Sequence, residues 1–364
     1  MPGQRCWNRK ISVSSALVEC GDKNDDKGCR WTYNIMIGRG FLLKMLASEE
    51  EFFRKREIAR GCWYLTGATA GGKTDLALEI ASRLNAEIIS LDSMAIYNGM
   101  DIGTAKPSLD AQKRIKHHLV DVIEPDQDFS VSQYCDKAFE VIDLIRETGK
   151  NVLFVGGTAL YLKSLIRGAF AGPPANWEFR NAIQDELEEV GTGPLFQRLE
   201  SVDPLSAHKL HPNDVRRIVR ALEVYHETGQ PISHLQVQFE EGESAERSNV
   251  FAIRWPREVL HQRIDQRIDQ MFASEFVKEV SGLRERYDKL STTALQAVGY
   301  REVLDYLDQG SDLNNVIELV KYRTHQFARH QETWFRGLSE VTWLDRSEGQ
   351  SNDAHLAEIL SKWG

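Results

Sequence analysis

The sequence predicts an α/β protein in which a parallel sheet is flanked by helices and carries a helical insertion. Short apolar segments alternate with segments of helical period from residue 62 onward, as in parallel sheets built with right-handed crossovers. A glycine-rich stretch lies between the first apolar segment and the first helical one. Convincing strands are lacking between 175 and 247, and an apolar strand then returns at 250–255.

The glycine-rich stretch after the first strand, 62–65, fits the phosphate-loop pattern G-x-x-x-x-G-K-[ST] and indicates a P-loop NTPase-like sheet. In such a loop, backbone N–H groups and the positive end of a helix bind phosphate oxygens, and the lysine adds a charge. The predicted phosphate-binding residues are Gly67, Ala68, Thr69, Ala70, Gly71, Gly72, Lys73 and Thr74. The Thr74 hydroxyl is the expected Mg²⁺ ligand. The pattern does not identify the phosphorylated ligand, and a glycine-rich turn that matches by chance is the alternative.

Two further strand ends are expected beside this loop. Strand 86–91 ends at Asp92, and strand 151–155 leads through two glycines to Thr158. Ligands of open parallel sheets bind beyond the carboxyl ends of the strands, so these residues should share one rim with the loop. Asp92 could accept a proton or hold Mg²⁺ through water, or it could simply form a turn. Thr158 could hydrogen-bond a substrate or cap a helix.

The sequence divides the chain of 364 residues into three predicted parts. Residues 61–174 and 248–345 are assigned to the α/β core with its C-terminal helices, and 175–247 to the helical insertion. Residues 1–60 show no clear period and are interpreted as an extension that is disordered or a start-site artefact. A transit peptide is the functional alternative, and its acidic residues argue against it.

An acidic net charge restricts where a nucleic acid could bind. Lys+Arg 45 against Asp+Glu 54 gives −9, so any such contact needs a local basic patch. Arg216, Arg217 and Arg220 form one patch on a predicted helix, and Arg263 and Arg267, four residues apart, could reach the phosphate rim. The alternative for each is an ordinary solvated helix face.

Cysteine and hydropathy patterns indicate a cytoplasmic protein. The five cysteines are scattered without zinc-site spacing, which favours a reducing compartment. No stretch approaches the ~18 consecutive apolar residues of a membrane span. His117 and His118 lie at the start of a strand predicted over 118–123, and adjacent side chains on an extended chain point to opposite faces, so a shared metal is not expected.

Six stretches together resemble the signatures of the tRNA dimethylallyltransferases, also called IPP transferases. They are DSMAIYNGMDIGTAKP at 92–107, HHLVD at 117–121, GGTALYLK at 156–163, RIVRALEV at 217–224, VGYRE at 298–302 and QETWFR at 331–336. The resemblance covers roughly 62–345. Members of this family prenylate the adenine immediately 3′ of the anticodon.

The resemblance implies that dimethylallyl diphosphate occupies the phosphate loop, with Mg²⁺ as cofactor. The implied catalytic residues are Asp92 as general base, Thr158, Lys73 and Arg267; Arg263 and Arg267 would join the loop in binding diphosphate. The adenine N6 amine would attack the first prenyl carbon after the base has flipped from the tRNA. The implied tRNA-binding residues are Asp92, Ser93, Met94, Ala95, Thr158, Arg180, Arg216, Arg217, Ile218, Val219, Arg220, Gln296, Ala297, Val298, Gly299, Tyr300 and Arg301.

Three departures from the family pattern, at Ala95, at Ala159 and at His325 with His330, and three alternatives accompany this expectation. The family often has Gln where this chain has Ala95, which removes a candidate hydrogen bond to the flipped base. An adenylate isopentenyltransferase would use a free nucleotide as acceptor and would need no grip on a stem-loop. A P-loop small-molecule kinase would need ATP, and a nucleotide-dependent RNA-binding switch would need switch loops that are not evident. The expected partners are the tRNA anticodon stem-loop and dimethylallyl diphosphate, with a monomeric protein and no membrane.

Overall fold

A six-stranded parallel sheet organises the part of the chain that the computed structural model describes, namely residues 54–168, 172–173, 175–236, 242–310 and 312–362. The strands are β1 (Trp63–Gly67), β2 (Ala86–Ser90), β3 (His117–His118), β4 (Asn151–Val155), β5 (Val250–Arg254) and β6 (Val341–Asp345). Their order is β3-β2-β4-β1-β5-β6, and every pairing is parallel. The predicted α/β class is therefore confirmed. Most of the predicted extension 1–60 lies outside the described residues, and 54–60 are helical.

Helices connect the strands and cover both faces of the sheet. In chain order they are α1 (Lys73–Arg83), α2 (Leu109–Arg114), α3 (Val131–Glu147), α4 (Ala159–Arg167), α5 (Trp177–Val190), α6 (Thr192–Val202), α7 (Pro204–Lys209), α8 (Val215–Thr228), α9 (Ile232–Leu235), α10 (Arg257–Ala273), α11 (Phe276–Arg286), α12 (Tyr300–Gln309), α13 (Leu313–Arg336) and α14 (Asp353–Ser361). None of these helices is long and apolar enough to cross a membrane.

The central strands β1, β2, β4 and β5 are mostly apolar because they are buried on both faces. Successive side chains of a strand point to opposite faces, and in β1 Tyr64 joins one buried cluster while Trp63 and Leu65 join the other. In β4, Phe154 and Leu153 divide in the same way. Continuous apolar runs are typical of parallel sheets covered by helices on both faces.

The edges of the sheet differ from the sequence expectation. A strand was expected over 118–123, but β3 contains only His117–His118 because Leu119 and Asp121 adopt positive φ angles of 57° and 55°. Asp121 instead pairs with the buried Lys106 at 2.5 Å. At the opposite edge, β6 pairs with β5 and was not predicted as a strand.

The insertion has its own small apolar core, made by helices α5 to α9. Its buried members are Ile183, Leu195, Leu199, Ala207, Ile218, Ala221, Leu222, Val224 and Ile232. No strand occurs among the described residues of 175–236 and 242–247, so the secondary structure is helical as expected. The assignment of this segment as a separate domain remains a prediction.

Candidate active site

The phosphate loop connects β1 to α1, and two of its glycines have backbone conformations that side chains disfavour. Gly67 has φ +128°, and a Cβ there would lie 2.5 Å from the carbonyl oxygen of Ile253 in β5. Gly72 has φ +80° and directly precedes Lys73, the first residue of α1. No side chain caps this helix. Its first N–H groups and the positive end of its dipole therefore suit a phosphate group.

Lys73 folds back over the loop that it follows. Its Nζ donates to the carbonyl oxygens of Gly67 at 3.0 Å and Ala68 at 2.8 Å. Burial and, to a smaller extent, the positive charge of Arg267 lower the pKa of Lys73 to about 8, and Asp92 partly opposes this shift. The ammonium is thus held at the loop without a strong counter-ion, a condition that favours an anionic ligand.

Helix α10 brings two arginines to the same loop, as the sequence analysis expected. Arg267 donates through its Nη1 to the Thr69 hydroxyl at 3.3 Å. Arg263 donates through Nε to the carbonyl oxygen of Ala70 at 2.8 Å and lies over the Trp255 ring, 4.8 Å from its centroid. Burial lowers the pKa of Arg267, and Asp92 opposes that shift.

Asp92 lies at the rim, where β2 ends. Its Oδ1 accepts a hydrogen bond from the Met94 N–H at 2.9 Å, which fixes the carboxylate in a short turn. The carboxylate interacts electrostatically with both Lys73 and Arg267. The structure therefore brings the predicted base and the predicted phosphate-binding cations into one charged cluster.

Thr158 occupies the position before α4, but its hydroxyl does not cap that helix. Instead, the hydroxyl accepts from the Ser93 N–H at 3.0 Å and donates to the Ser93 Oγ at 3.3 Å. Thr158 thereby holds the residue that follows Asp92. This contact ties the end of β4 to the end of β2.

Gln331 is a site residue that the sequence analysis did not single out. Its Oε1 accepts from the Thr69 N–H at 2.8 Å, and its Nε2 donates to the Gly157 carbonyl at 2.9 Å. The available signal was a polar residue on the apolar face of a helix, between Ala328 and Phe335, which are both buried.

The implied tRNA-binding residues fall into three groups by exposure. The exposed ones are Arg216, Arg217, Gln296 and Arg301, and the half-buried ones are Asp92, Ser93, Met94, Thr158, Arg180, Val219, Arg220 and Val298. The buried ones are Ala95, Ile218, Ala297, Gly299 and Tyr300. Ile218 packs inside the insertion core, and the Tyr300 hydroxyl donates to Glu279 at 2.6 Å. The side chains of Ala95, Ile218, Ala297 and Tyr300 are therefore not exposed to an RNA in this structure.

Two arginines of the expected tRNA surface are engaged by a buried carboxylate. Arg180 donates to both oxygens of Glu223, at 2.8 and 2.9 Å, and Arg220 donates to the same carboxylate at 2.5 Å. Burial alone would raise the pKa of Glu223, but these arginines and the Asn176 N–H hold it below its usual value. Arg216 instead reaches across to Gln296, 3.2 Å from Nη1 to Oε1, and joins the insertion to the turn before α12.

The residues at the phosphate loop are compatible with Mg²⁺ that is bound mainly by the phosphate groups of a ligand. Among the described residues, no cluster of three or more His, Cys, Asp or Glu side chains could hold a metal ion. Thr74 is exposed in the first turn of α1. Mg²⁺ commonly takes only one or two protein ligands and completes its shell with phosphate oxygens and water, so a single hydroxyl here is compatible with it. His117 and His118 have separate partners, the Ile115 carbonyl at 2.7 Å and Glu87 at 2.6 Å.

The chain is similar to proteins of known activity. A family model described as IPP transferase matches residues 95–338. The tRNA dimethylallyltransferase of Rhodopirellula baltica is 48% identical over 295 residues, which are 79% of this chain and 88% of that protein. The tRNA dimethylallyltransferase of Acetivibrio thermocellus is 42% identical over 297 residues, which are 81% of this chain and 95% of that protein.

Solved structures agree with these relatives. The tRNA isopentenylpyrophosphate transferase of Bacillus halodurans is 33% identical, with a TM-score of 0.59, and covers 83% of this chain and 96% of its own. A eukaryotic dimethylallyltransferase acting on tRNA is 27% identical, with a TM-score of 0.66, over 82% of this chain and 78% of its own. The resemblance that the sequence motifs predicted is confirmed, and the chain belongs to the IPP transferase family.

Proposed function

We propose that this protein transfers the dimethylallyl group from dimethylallyl diphosphate to the N6 amine of the adenine 3′ of the anticodon in tRNA. The observation that carries the proposal is the electrostatic interaction of the Asp92 carboxylate with Lys73 and Arg267 at the phosphate loop. In this proposal, a diphosphate site and a proton acceptor share one rim of the sheet. Relatives covering most of this chain are tRNA dimethylallyltransferases, which supports this choice of donor and acceptor.

The loop would bind the diphosphate of the donor. The free N–H groups at the start of α1, the Lys73 ammonium and the guanidinium of Arg267 supply positive charge where the bridging C–O bond breaks. Negative charge grows on the diphosphate as that bond breaks, and groups already fixed in place stabilise it without reorganisation. Mg²⁺, held through Thr74, would supply further positive charge to the leaving diphosphate.

Asp92 would act as the general base. The N6 amine forms a bond to the first prenyl carbon, the bond from that carbon to diphosphate breaks, and the amine proton passes to the carboxylate. The Met94 N–H holds Oδ1 of Asp92, and the second carboxylate oxygen would accept the proton. The same carboxylate interacts electrostatically with Lys73 and Arg267 at the loop.

The acceptor surface would include the exposed part of the insertion and of the turn before α12. Arg216 and Arg217 lie at the start of α8, and Gln296 and Arg301 flank the turn that Arg216 contacts. Guanidinium groups suit the phosphate backbone of a stem-loop. We infer that these residues orient the tRNA while Asp92, Ser93 and Thr158 face the flipped base.

Two acceptors and a control without acceptor, all offered the same donor, test the proposal. Labelled dimethylallyl diphosphate is incubated with the protein and unmodified tRNA, with AMP, or with neither. We expect label in tRNA alone. Label in AMP would instead identify an adenylate isopentenyltransferase, and no transfer to either acceptor would favour a kinase or a binding protein.

A further inference from the structure

Gln331 in α13 joins two loops that belong to different parts of the site. Its side chain is 6% exposed, and both hydrogen bonds of its amide go to backbone groups outside its own helix. One partner, Thr69, lies in the phosphate loop, and the other, Gly157, lies at the end of β4. A buried amide with partners on two loops fixes their separation, because moving either loop leaves a buried polar group without its partner.

The contacts continue from this amide to both sides of the reaction. On the donor side, Thr69 also receives a hydrogen bond from Arg267 through its hydroxyl. On the acceptor side, Gly157 precedes Thr158, whose hydroxyl holds the Ser93 N–H next to Asp92. Gln331 is therefore the link between the residues that would bind diphosphate and those that would face the base.

The contact between Gln331 and Gly157 leaves no room for a side chain at position 157. A Cβ at Gly157 would lie 2.3 Å from the Gln331 Nε2, closer than any real side chain can come. Any larger residue at 157 would push the amide away from the Gly157 carbonyl and from the Thr69 N–H together. The Gln331 side chain thus occupies the space that the missing Cβ of Gly157 leaves open.

We propose that Gln331 is a positioning residue that sets the distance between the donor loop and the turn carrying Asp92 and Thr158. The inference rests on the proposed prenyl transfer, for which it names a residue that touches neither substrate. Misplacement of reacting groups by about 1 Å can cost about 10²-fold in rate. Loss of the Gln331 hydrogen bonds should therefore lower kcat rather than the affinity for tRNA.

Gln331→Met tests this with a side chain of similar length that cannot replace the two hydrogen bonds. We expect kcat for prenyl transfer to fall about 10²-fold, with the Kd for tRNA changed less than about threefold. The matched control is Thr324→Val, because Thr324 is also buried on α13 but donates only to Val320 of its own helix. Thr324→Val should alter the unfolding midpoint without a comparable change in kcat.

A double-mutant cycle separates positioning from general destabilisation. Gly157→Ala and Gln331→Ala each break the same contact, so the double variant should be no more than about threefold slower than the slower single variant. Independent effects would multiply instead, and that result would overturn the proposal. So would a folded Gln331→Met enzyme with the kcat of the wild type.

The wild-type reaction separates a failure of the proposed prenyl transfer from a failure of the positioning role of Gln331. If the wild type transfers no label to tRNA, the proposed function fails and the role of Gln331 fails with it. If the wild type is active and the Gln331 variants are equally active, only the positioning role is refuted.

Discussion

At the residue scale, the donor site depends on positive charge held near the loop with little compensation. Burial and Arg267 lower the pKa of Lys73 to about 8 from 10.5. The free protein therefore begins to lose this charge just above neutral pH. A bound diphosphate would raise the pKa again, since an anion favours the protonated amine.

Donor binding and folding stability should therefore respond oppositely to alkaline pH. KM for dimethylallyl diphosphate is expected to rise as pH increases through about 8, because the free enzyme loses the Lys73 charge. Between about 8 and 10.5 the unfolded chain binds more protons at this lysine than the folded protein does, so its contribution to stability increases with pH. Urea unfolding at several pH values, compared with Lys73→Met, measures this contribution. An identical pH dependence in both proteins would contradict it.

At the element scale, α11 holds residues 101–103, which follow the turn that contains Asp92 and Met94. The Glu279 carboxylate accepts the N–H groups of Asp101 at 3.0 Å, Ile102 at 2.7 Å and Gly103 at 3.3 Å, as well as the Tyr300 hydroxyl. Gly103 packs closely there, since a Cβ would lie 2.3 Å from the Phe276 ring. One carboxylate thus anchors a loop and α12 to α11.

Glu279→Gln should lower the free energy of unfolding by about 1–3 kcal/mol, because the amide NH₂ cannot accept the backbone hydrogen bonds that it would face. Urea unfolding measures the change. The control is Glu275→Gln, at an exposed residue whose carboxylate pairs with Lys278 at 3.2 Å, and for which a change below about 0.5 kcal/mol is expected. Equal effects of the two substitutions would show that the anchor contributes nothing.

The sequence predicted the features that depend on neighbouring residues, and it missed those that depend on contacts between distant parts of the chain. The loop from Gly67 to Thr74 was identifiable because its glycines, lysine and threonine are contiguous. The strands β1, β2, β4 and β5 were identifiable because both of their faces are largely apolar, whereas the partly buried β6 was missed. The short β3 was not, because the left-handed Leu119 and Asp121 are stabilised by tertiary contacts. Gln331 was missed as a site residue for the same reason: its partners are 262 and 174 residues away.

At the scale of the whole molecule, the net charge of −9 contrasts with the proposed RNA substrate. Binding would depend on a few exposed cations, because the rest of the surface repels a polyanion. The Arg217 side chain is 72% exposed and pairs with Asp214, three residues before it, at 2.5 Å, so it is accessible to phosphate. Arg180 and Arg220 are held by Glu223 instead, a placement that the basic sequence pattern did not reveal.

Arg217→Gln should weaken the binding of tRNAs of different sequence to a similar extent, because a phosphate contact does not read the bases. The slope of log K against log salt is expected to fall in magnitude by about 0.7–0.9, the contribution of one phosphate contact. The matched control, Arg198→Gln, removes an exposed arginine of the same insertion that pairs with Glu186 at 2.5 Å. An unchanged slope for Arg217→Gln would remove this residue from the interface.

The measurement closest to the central claim is single-turnover prenyl transfer by Asp92→Asn. Asparagine keeps the oxygen that accepts the Met94 N–H, so the turn should persist while the proton acceptor is lost. We predict a fall of about 10²–10⁴-fold in the rate of label transfer to tRNA, with the tRNA Kd changed less than about threefold. Transfer at the wild-type rate by a folded Asp92→Asn protein would contradict the assignment of this carboxylate as the base across from the phosphate loop.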